Sequence, residues 1–560
     1  MRAIRVWLFA VLAAALLLGC GSSSDEKETK KTPSEPLGAP FAIAGDPVGD
    51  AVPIAAQKPV PREYGHPVEL TKPADRKQAP ESGLTKVGGW LNTTRAFTGE
   101  DLKGRILILD FWTAGCINCI HVAATLETFA HKHETDPILV LGVHAQKFSA
   151  DAPPEVVRAQ MEELGITHPV AIDSKHQEFS DWEAPGWPTL FVVDAHGRII
   201  KQIGGEPSVE YLDNIVESAL HEQAAEGGLA TEALDFLGRE KDPSAPLSSP
   251  EKVIPTATGY AIADSGHDRV VLTDDSGATT DVIGDGTEGT TDGDYATARF
   301  FAPKGLALMG NVLYVGDTAN HLIRAVDLTN KTVTTVAGTG KRGGVLHDGG
   351  KALETSLASP WDLLAVDTRI FVANAGTHQV FVFDPAAATV EPFAGNGYEG
   401  LVDGTADEVR MAQPSGLASD GTYLYVADAE SSSIRKIDIA TGAVTTLVGQ
   451  GLFVWGAEDG PAASATLQHD QGLALDGQTL YIADTYNSKI RALDLSTMMV
   501  STIAGDGSPP PFFYPGGLTV VPSDSQMLLV ADTNHDTLQL VDVTGTKEPV
   551  RWDVTGLSPP

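Results

Sequence analysis

The residues in this sequence best suited to chemistry are two cysteines, Cys116 and Cys119, separated by Ile117 and Asn118. They follow a continuous apolar run that is typical of a strand buried on both faces. The residues after them have apolar side chains at helical spacing. At a strand-to-helix junction the helix N-terminus favours a thiolate on Cys116, and Cys119 lies one turn later, where it can resolve a mixed disulfide. The spacing therefore predicts a redox pair.

Half of a zinc site is the alternative interpretation of the same two cysteines. Zinc is held by about four ligands, and the chain has three cysteines in all, so no second pair exists to complete such a site. We therefore expect no metal at this pair, and no cofactor beyond a redox-active disulfide between Cys116 and Cys119.

Length and charge limit the possible functions. At 560 residues the chain is longer than one domain usually is. Its formal net charge is -35, which argues against nucleic acid as a partner because nucleic-acid-binding surfaces are basic.

The N-terminal segment predicts export from the cytoplasm. Arg2 and Arg5 precede an apolar run, 6–18, that is too short to span a membrane and has the form of a signal peptide over residues 1–19. The run ends in a Leu-Leu-Gly-Cys sequence that resembles a bacterial lipoprotein signal. The resemblance implies a lipid on Cys20 and attachment to a membrane of the bacterial cell envelope, with the protein facing the periplasm or the exterior. An ordinary secretory signal with an unpaired cysteine is the alternative.

Two segments are predicted to be linkers. Residues 20–84 are polar and then rich in proline, with few periodic apolar residues, which predicts a lipid-anchored disordered linker. A second linker is predicted over residues 223–247, where prolines and serines follow a short stretch that could be helical.

Residues 85–222 alternate between strand and helix patterns. A second apolar strand is predicted over 138–144 and a helix over 153–164, which has proline in its first turn and glycine after its end. Two further strands, 189–194 and 198–203, flank a hairpin signal. Such alternation predicts a mixed sheet covered by helices.

Two motifs in this segment resemble the thioredoxin-like family: Asp-Phe-Trp-x-x-x-Cys-x-x-Cys, which begins at Asp110, and Trp187-Pro188-Thr189. The resemblance implies that the Trp187–Pro188 bond is cis and that Pro188 shapes the substrate groove beside the cysteines. It also implies that Asp110 lies beneath the disulfide, has a raised pKa through desolvation, and helps to move the proton of Cys119. The alternative for Asp110 is a strand-end carboxylate that reaches solvent. The two residues between the cysteines differ from the Gly-Pro of thioredoxin, so the resemblance does not give the redox potential.

From residue 248 to residue 560 the chain repeats one unit. Each copy has an apolar residue, then Ala or Gly, then Asp or Asn, with an aliphatic residue and often an arginine shortly after. A period of about 50 residues with about four strands in each copy predicts the blades of a β-propeller. The repeats resemble the NHL repeat, and the two domains together resemble thioredoxin-domain-containing NHL proteins. The sequence thus predicts a multidomain protein, an α/β thioredoxin-like domain followed by an all-β six-bladed propeller. The repeated positions are Asp264, Asp317, Asn374, Asp428, Asp484 and Asp532.

The recurring Asp and Arg residues are expected to hold tight turns by hydrogen bonds rather than to react. Strand alternation places the Asp-bearing hairpins and the long connections between blades on one propeller face. Histidines on that face leave open a zinc-dependent propeller lyase as a less favoured alternative. These histidines are His267, His321, His378 and His535.

We interpret the chain as an envelope-anchored thiol–disulfide oxidoreductase that acts on protein thiols or disulfides. Its propeller is expected to bind a protein partner or substrate through the long connections, where Phe453 and Trp455 are the chosen contact residues. The alternative is a non-catalytic scaffold that binds proteins or glycans and has a merely structural thioredoxin-like domain. Two cysteines, Asp110 and Pro188 together favour the enzyme.

Overall fold

A computed structural model of the chain describes residues 37, 39–60, 62–81, 83–240, 245–507 and 510–560. The predicted signal peptide, Cys20 and the first part of the predicted linker lie outside these residues. Within the described ranges, no helix is both long enough and apolar enough to cross a membrane.

The thioredoxin-like domain is built on one seven-stranded mixed sheet. Its strand order is β2-β8-β7-β4-β5-β6-β3, in which β4 runs parallel to β5 and antiparallel to β7. β4 lies at the centre of the sheet and all of its residues are buried, as its apolar run predicts. The strands are β2 (Lys77–Gln78), β3 (Trp90–Leu91), β4 (Ile106–Trp112), β5 (Ile138–His144), β6 (Val170–Ile172), β7 (Thr189–Val193) and β8 (Arg198–Gly204).

Helices cover both faces of this sheet. Leu126 and Phe129 of the first helix pack with Leu212 and Val216 of the last against one face, while Trp182 packs with Phe111 and Phe191 on the other face. The predicted helix over 153–164 is confirmed. The helices are α1 (Ile117–Lys132), α2 (Pro154–Glu163), α3 (Gln177–Asp181) and α4 (Val209–Glu226).

The prediction of disorder does not hold for the described part of residues 39–84. Val52–Pro53 (β1) pairs with Gly238–Arg239 (β9), and β2 pairs with β8. Phe41, Tyr64 and Leu70 are buried. Isolated apolar anchors and two-residue pairings have no periodicity to detect, and prolines are compatible with extended chain at a sheet edge. The predicted linker after the domain is corrected in the same way, because β9 and the buried Phe236 lie within it.

The C-terminal region is a six-bladed β-propeller, as predicted. Each blade has four antiparallel strands in sequence order, and three blades carry an extra two-residue edge strand. The blades are β10 (Pro250–Pro255), β11 (Gly259–Asp264), β12 (Arg269–Asp274) and β13 (Thr279–Ile283); β14 (Gly293–Asp294), β15 (Pro303–Met309), β16 (Val312–Asp317), β17 (Leu322–Asp327) and β18 (Thr332–Ala337); β19 (Gly350–Lys351), β20 (Pro360–Val366), β21 (Arg369–Asn374), β22 (Gln379–Asp384) and β23 (Thr389–Ala394); β24 (Pro414–Ser419), β25 (Tyr423–Asp428), β26 (Ser433–Asp438) and β27 (Val444–Val448); β28 (Gly460–Pro461), β29 (Gly472–Asp476), β30 (Thr479–Asp484), β31 (Lys489–Asp494) and β32 (Met499–Ala504); and β33 (Pro515–Val521), β34 (Asp524–Asp532), β35 (Thr537–Asp542) and β36 (Val550–Trp552).

Short 3₁₀ helices occupy most of the hairpins between the second and third strands of the blades. The first and last blades close the ring, because Ser249 N donates to Asp536 Oδ1 at 2.9 Å and Thr533 Oγ1 donates to Pro250 O at 2.9 Å. The 3₁₀ helices within the described ranges are Pro73–Asp75, Gly99–Leu102, Ser149–Asp151, Ser265–His267, Ala352–Glu354, Ala375–Thr377, Ala429–Ser431, Thr485–Asn487 and Thr533–His535.

The recurring Asp and Arg residues stabilise the blades. Asp484 accepts a hydrogen bond from Gln468 N at 2.7 Å and pairs with Arg491 at 2.6 Å. Arg491 also pairs with Asp459 of the Asp-Gly connection at 2.6 Å. The blades with β16 and β25 repeat this Asp–Arg–Asp arrangement. The structural role predicted for these residues is confirmed.

Candidate active site

Cys116 lies in the turn between β4 and α1 and caps the helix. Gly115 has a φ of +74°, in the left-handed region that favours glycine. The N–H groups of Cys119 and Ile120 each donate to the Cys116 carbonyl oxygen at 3.0 Å. Both cysteines are free thiols. Cys116 is half-buried and Cys119 is 1% exposed, so Cys116 is the more accessible sulfur, as its assigned attacking role requires.

Cys119 is the more strongly perturbed thiol. Burial, and next to it the hydrogen bond with the Cys116 sulfur, raise the pKa of Cys119 well above its usual value. The Asp110 carboxylate contributes in the same direction. A buried thiol of this kind needs a proton acceptor before it can react as a thiolate.

Asp110 is placed to be that acceptor. It lies on β4 between Gly142 of β5 and Leu190 of β7 and is 2% exposed, so the alternative of a solvent-reaching carboxylate is wrong. Burial raises the pKa of Asp110 to about 7, and His168 opposes the shift. Its Oδ1 atom has no hydrogen-bond partner among the described residues. A carboxyl with this pKa can accept or return a proton near neutral pH.

The Trp187–Pro188 peptide bond is cis, as the thioredoxin-like resemblance implies. Trp187 stacks on Phe179 with ring centroids 4.8 Å apart and packs against the apolar cluster that contains both cysteines. The Pro188 segment thus belongs to the surroundings of Cys116 and Cys119.

The propeller contacts the backbone of the turn that carries Cys116. Gln413 Oε1 accepts a hydrogen bond from Ile117 N at 2.9 Å, and Gln413 Nε2 donates to Gly115 O at 2.8 Å. The Tyr486 hydroxyl donates to Ala114 O at 3.2 Å. A Cβ atom at Gly115 would lie 2.0 Å from that hydroxyl oxygen. The hairpin face predicted to meet a separate partner therefore meets the thioredoxin-like domain of its own chain.

An ion pair crosses this interface next to Cys116. Lys147, which follows β5 and is partly buried, pairs with Glu430 of the propeller, which is buried. Burial by itself would lower the pKa of Lys147, but the Glu430 carboxylate and the nearby Cys116 sulfur outweigh it, and the pKa is raised. Lys147 therefore stays a cation beside the reactive thiol.

His469 lies in the same interface, buried and without a hydrogen-bond partner on either ring nitrogen among the described residues. Its ring stacks on Tyr486 at 4.3 Å, and burial lowers its pKa to about 4. The imidazole is therefore neutral at physiological pH, and its contribution here is packing.

The two predicted partner-contact residues lie in different environments. Trp455 is 37% exposed and packs edge-on against Phe148 of the thioredoxin-like domain at 5.0 Å. Phe453 is 75% exposed, and its ring centroid lies 5.8 Å from Lys147 Nζ. Trp455 thus serves the contact between domains, and Phe453 remains an open apolar surface close to the redox pair.

Comparison with known proteins agrees with this architecture. Residues 76–202 match the AhpC/TSA family model. The chain is 37% identical to Protein SUPPRESSOR OF QUENCHING 1, chloroplastic, of Arabidopsis thaliana over 504 residues. This alignment covers 84% of this chain and 48% of the plant protein. The chain thus spans about half the length of this plant relative.

NHL repeat-containing protein 2 of Bos taurus is 34% identical over 500 residues, an alignment that covers 81% of this chain and 69% of the relative. The chain belongs to the NHL repeat-containing protein 2 family. Family membership extends over both domains and agrees with the thioredoxin-like and NHL-repeat resemblances of the sequence. Across 141 residues, one quarter of the chain, it is also 26% identical to Thiol-disulfide oxidoreductase ResA of Bacillus anthracis.

Each of the propeller histidines considered for zinc has a different hydrogen-bond partner. Asp264 contacts His267 at 3.0 Å and Asp532 contacts His535 at 2.7 Å. His321 accepts a hydrogen bond from Ser359 N at 3.0 Å, and His378 accepts one from Gln413 N at 3.1 Å. No group of three or more potential metal ligands occurs in the described part of the chain.

Sequence reasoning missed the propeller residues around Cys116. The missed residues that contact the turn directly are Gln413 and Tyr486, and Glu430 acts through Lys147. Gln413 occupies a position that recurs in every blade with a positive φ, immediately before the first strand in five blades and three residues before it in the fifth. Five of these six residues precede a proline, which is a signal that an alignment of the repeats could have detected. These recurring residues are Ser249, Ala302, Ser359, Gln413, His469 and Tyr514.

Proposed function

We propose that the chain is a thiol–disulfide oxidoreductase in which Cys116 exchanges with substrate and Cys119 resolves. The observation that carries the proposal is the arrangement of an accessible thiol at the N-terminus of α1, a buried thiol one turn later, and a buried carboxyl, one oxygen of which has no partner among the described residues, that raises the pKa of the second thiol. A merely structural domain would have no use for this combination.

In the reducing direction, the Cys116 thiolate attacks one sulfur of a substrate disulfide and releases the other sulfur as a thiolate. Asp110 then accepts the proton of Cys119. The Cys119 thiolate attacks Cys116, which closes the Cys116–Cys119 disulfide and releases the second substrate sulfur. Two electrons pass from the dithiol to the substrate, and the reverse sequence oxidises a substrate dithiol.

Trapping the mixed disulfide tests this order of events. The reduced Cys119→Ser variant, treated with oxidised glutathione, is expected to hold one glutathione on Cys116, while wild type closes its own disulfide and holds none. Cys116→Ser is the matched control and, with Cys20 replaced by serine in all three proteins, should trap little, because the remaining thiol is buried. Mass spectrometry of the intact protein reads all three. If neither variant traps glutathione and wild type forms no disulfide, the scaffold interpretation replaces the enzyme.

The direction of electron flow follows from the reduction potential of the pair. Equilibration in glutathione buffers of defined ratio, followed by alkylation of the remaining thiols, gives its value. A strongly reducing potential would assign a reductase, and an oxidising one a disulfide donor.

We also propose that Phe453 contacts polypeptide substrates of the same pair. Its exposure and its distance of 5.8 Å from Lys147 Nζ support this. Phe453→Ser is expected to weaken reduction of insulin severalfold and to leave reduction of oxidised glutathione unchanged. Leu353→Ser, which alters another exposed apolar residue, is the control and should change neither rate. Equal loss for both substrates would return Phe453 to a role in packing.

The membrane anchor is a separate proposal, supported by the Leu-Leu-Gly-Cys sequence ending at Cys20. The full-length protein is expected in the membrane fraction of the bacterial envelope, and Cys20→Ser is expected to move it to the soluble fraction. Wild type found soluble, with an N-terminus other than residue 20, would contradict the anchor without affecting the proposed redox activity.

A further inference from the structure

The propeller contacts the reactive turn through one side chain with unusual placement. The carboxamide of Gln413 makes two hydrogen bonds, one to the residue before Cys116 and one to the residue after it. Gln413 is completely buried. Its amide therefore brackets Cys116 from the outside of the thioredoxin-like domain.

The backbone of Gln413 is held as firmly as its side chain. Its N–H donates to His378 Nδ1 at 3.1 Å, and Ser415 Oγ donates to its carbonyl oxygen at 3.1 Å. Its φ of +63° belongs to the left-handed region, which is costly for a residue other than glycine and persists where surrounding contacts impose it. The propeller thus presents this side chain in one fixed direction.

The same position in the third and sixth blades also reaches the thioredoxin-like domain. Ser359 Oγ lies 2.9 Å from His121 Nε2, and the Tyr514 hydroxyl donates to Asp151 Oδ1 at 2.8 Å. These contacts dock the domain away from the thiol. Of the three, Gln413 is the one whose bonds flank Cys116.

The N–H group that Gln413 engages is important for thiol chemistry. Ile117 is the first residue of α1, and unpaired N–H groups at a helix N-terminus stabilise a negative charge placed there. A cysteine at this position becomes more reactive as its thiolate is stabilised. While Gln413 Oε1 accepts from Ile117 N, that donor is not free for the sulfur.

We propose that Gln413 is a positioning residue, supplied by the propeller, that restrains the Gly115–Ile117 turn and lowers the reactivity of Cys116 while the two domains are docked. This effect on Cys116 reactivity would regulate the proposed thiol–disulfide exchange, and only that regulatory meaning rests on the proposed function. Displacement of Gln413 by a substrate or partner would free the Ile117 N–H group and release the turn that carries Cys116.

The other groups near Cys116 make no described hydrogen bond to Gln413. Lys147, paired with Glu430, and the Tyr486 hydroxyl both lie within electrostatic range of the Cys116 sulfur. Cys119 and Asp110 lie on its inner side. A shift in Cys116 reactivity between variants of residue 413 therefore reports the amide and not these neighbours.

The test is the rate of Cys116 alkylation by iodoacetamide as a function of pH, in the reduced full-length protein, with the modified cysteine located by tandem mass spectrometry. Gln413→Met keeps the size of the side chain and removes both hydrogen bonds, so we expect alkylation about two- to fivefold faster at mildly acidic pH and a lower midpoint. Gln413→Glu can still accept from Ile117 N but brings a negative charge to the thiol. For this variant we expect slower alkylation and a higher midpoint.

Ser359→Ala is the matched control, because it removes a hydrogen bond between the domains without touching the Cys116 turn. Its alkylation profile should coincide with wild type. If Ser359→Ala accelerates alkylation as much as Gln413→Met, the effect is general loosening of the domains and the positioning role is wrong. Unchanged rates in both Gln413 variants, or a shift in the same direction in both, would also overturn it. Should Gln413→Met fail to fold, Gln413→Ala, which also removes both hydrogen bonds and adds no charge, replaces it in the comparison. Because alkylation requires no thiol–disulfide exchange, its result stands even if the proposed redox function is contradicted by the mixed-disulfide experiment.

Discussion

Buried aspartates occur in both domains, and their surroundings differ in kind. Asp484 of the propeller accepts from a backbone N–H and pairs with Arg491 at 2.6 Å. Asp110 of the thioredoxin-like domain has no cationic side chain bonded to it in the described structure, and one of its oxygens has no partner. Burial raises the pKa of both carboxyls, to about 6 and about 7. The pKa alone thus does not separate them, whereas the partners do: a paired carboxylate holds a turn, and an unpaired one beside a thiol is available for proton transfer.

The largest effect is expected where the pairing is broken. Arg491→Phe would leave Asp484 buried without its cation, and we expect a loss of about 3–5 kcal/mol in the free energy of unfolding of the propeller. Urea denaturation followed by circular dichroism measures it.

One blade supplies the control for this prediction. In the third blade Asn374 replaces the aspartate, and Phe381 stands where the second, fourth and fifth blades have arginine, so the charge and its partner are absent together. The double variant Asp484→Asn, Arg491→Phe copies this pair and should lose much less stability than Arg491→Phe alone. Equal losses would mean that Arg491 contributes by packing, and the pairing argument would then fail.

The second effect concerns the unpaired carboxyl. Asp110→Asn removes the proton acceptor of Cys119, and we expect the closure of the mixed disulfide to slow about 100-fold. Asp151→Asn is a matched control, because burial also raises the pKa of Asp151 to about 7 while the Tyr514 hydroxyl donates to it. Stopped-flow measurement of glutathione release from the mixed disulfide compares them. Similar slowing in both variants would show that any buried carboxyl in this domain has the same effect.

The same aspartate predicts a pH dependence of stability. An aspartate in the unfolded chain loses its proton near pH 4, whereas folded Asp110 keeps it to about pH 7. Between these values the native state holds the extra proton, so the contribution of Asp110 to stability is fully present below pH 4 and is lost as the pH rises to 7, by about 1.4 kcal/mol for each unit. Asp110→Asn should reduce the slope in thermal melts taken across the interval by the Asp110 share, while Asp151, whose pKa burial also raises to about 7, keeps its own contribution. A parallel slope in wild type and variant would contradict the assigned pKa.

Much of each domain could be predicted from local sequence. The apolar run that forms β4 and the turn into α1 indicate the redox pair, and the recurring hairpins indicate six blades. The packed segments within 39–84 and 223–247 could not be predicted, since a two-residue strand such as β1 carries no period. Its register depends on β9, which is almost 190 residues away.

The docking of the two domains also lies beyond what the sequence reveals. Gln413 and Tyr514 occupy equivalent positions in their blades, yet one bonds the Cys116 turn and the other bonds Asp151. Residue type therefore varies while backbone geometry is kept. Propensity and periodicity report local geometry and cannot show which surface a side chain meets.

Asp470 tests whether an unpaired buried carboxyl always indicates function, because it is such a carboxyl within the propeller. It is fully buried, neither oxygen has a hydrogen-bond partner in the described part of the chain, and burial raises its pKa well above the usual value. The equivalent residue of every other blade is a proline that begins the first strand. These prolines are Pro250, Pro303, Pro360, Pro414 and Pro515.

Asp470→Pro is therefore expected to raise the free energy of unfolding by about 1–2 kcal/mol at neutral pH, because it removes an unsatisfied carboxyl and restricts the unfolded chain at a site where five blades accept proline. Urea denaturation measures the gain, and Pro414→Asp, the reverse change in the neighbouring blade, should lose a similar amount. Closure of the Cys116–Cys119 disulfide should be unchanged in Asp470→Pro, since no described contact joins Asp470 to the thiols. If closure slows while stability rises, the carboxyl serves the redox pair at a cost to the fold, and an unpaired aspartate would then indicate function in both domains.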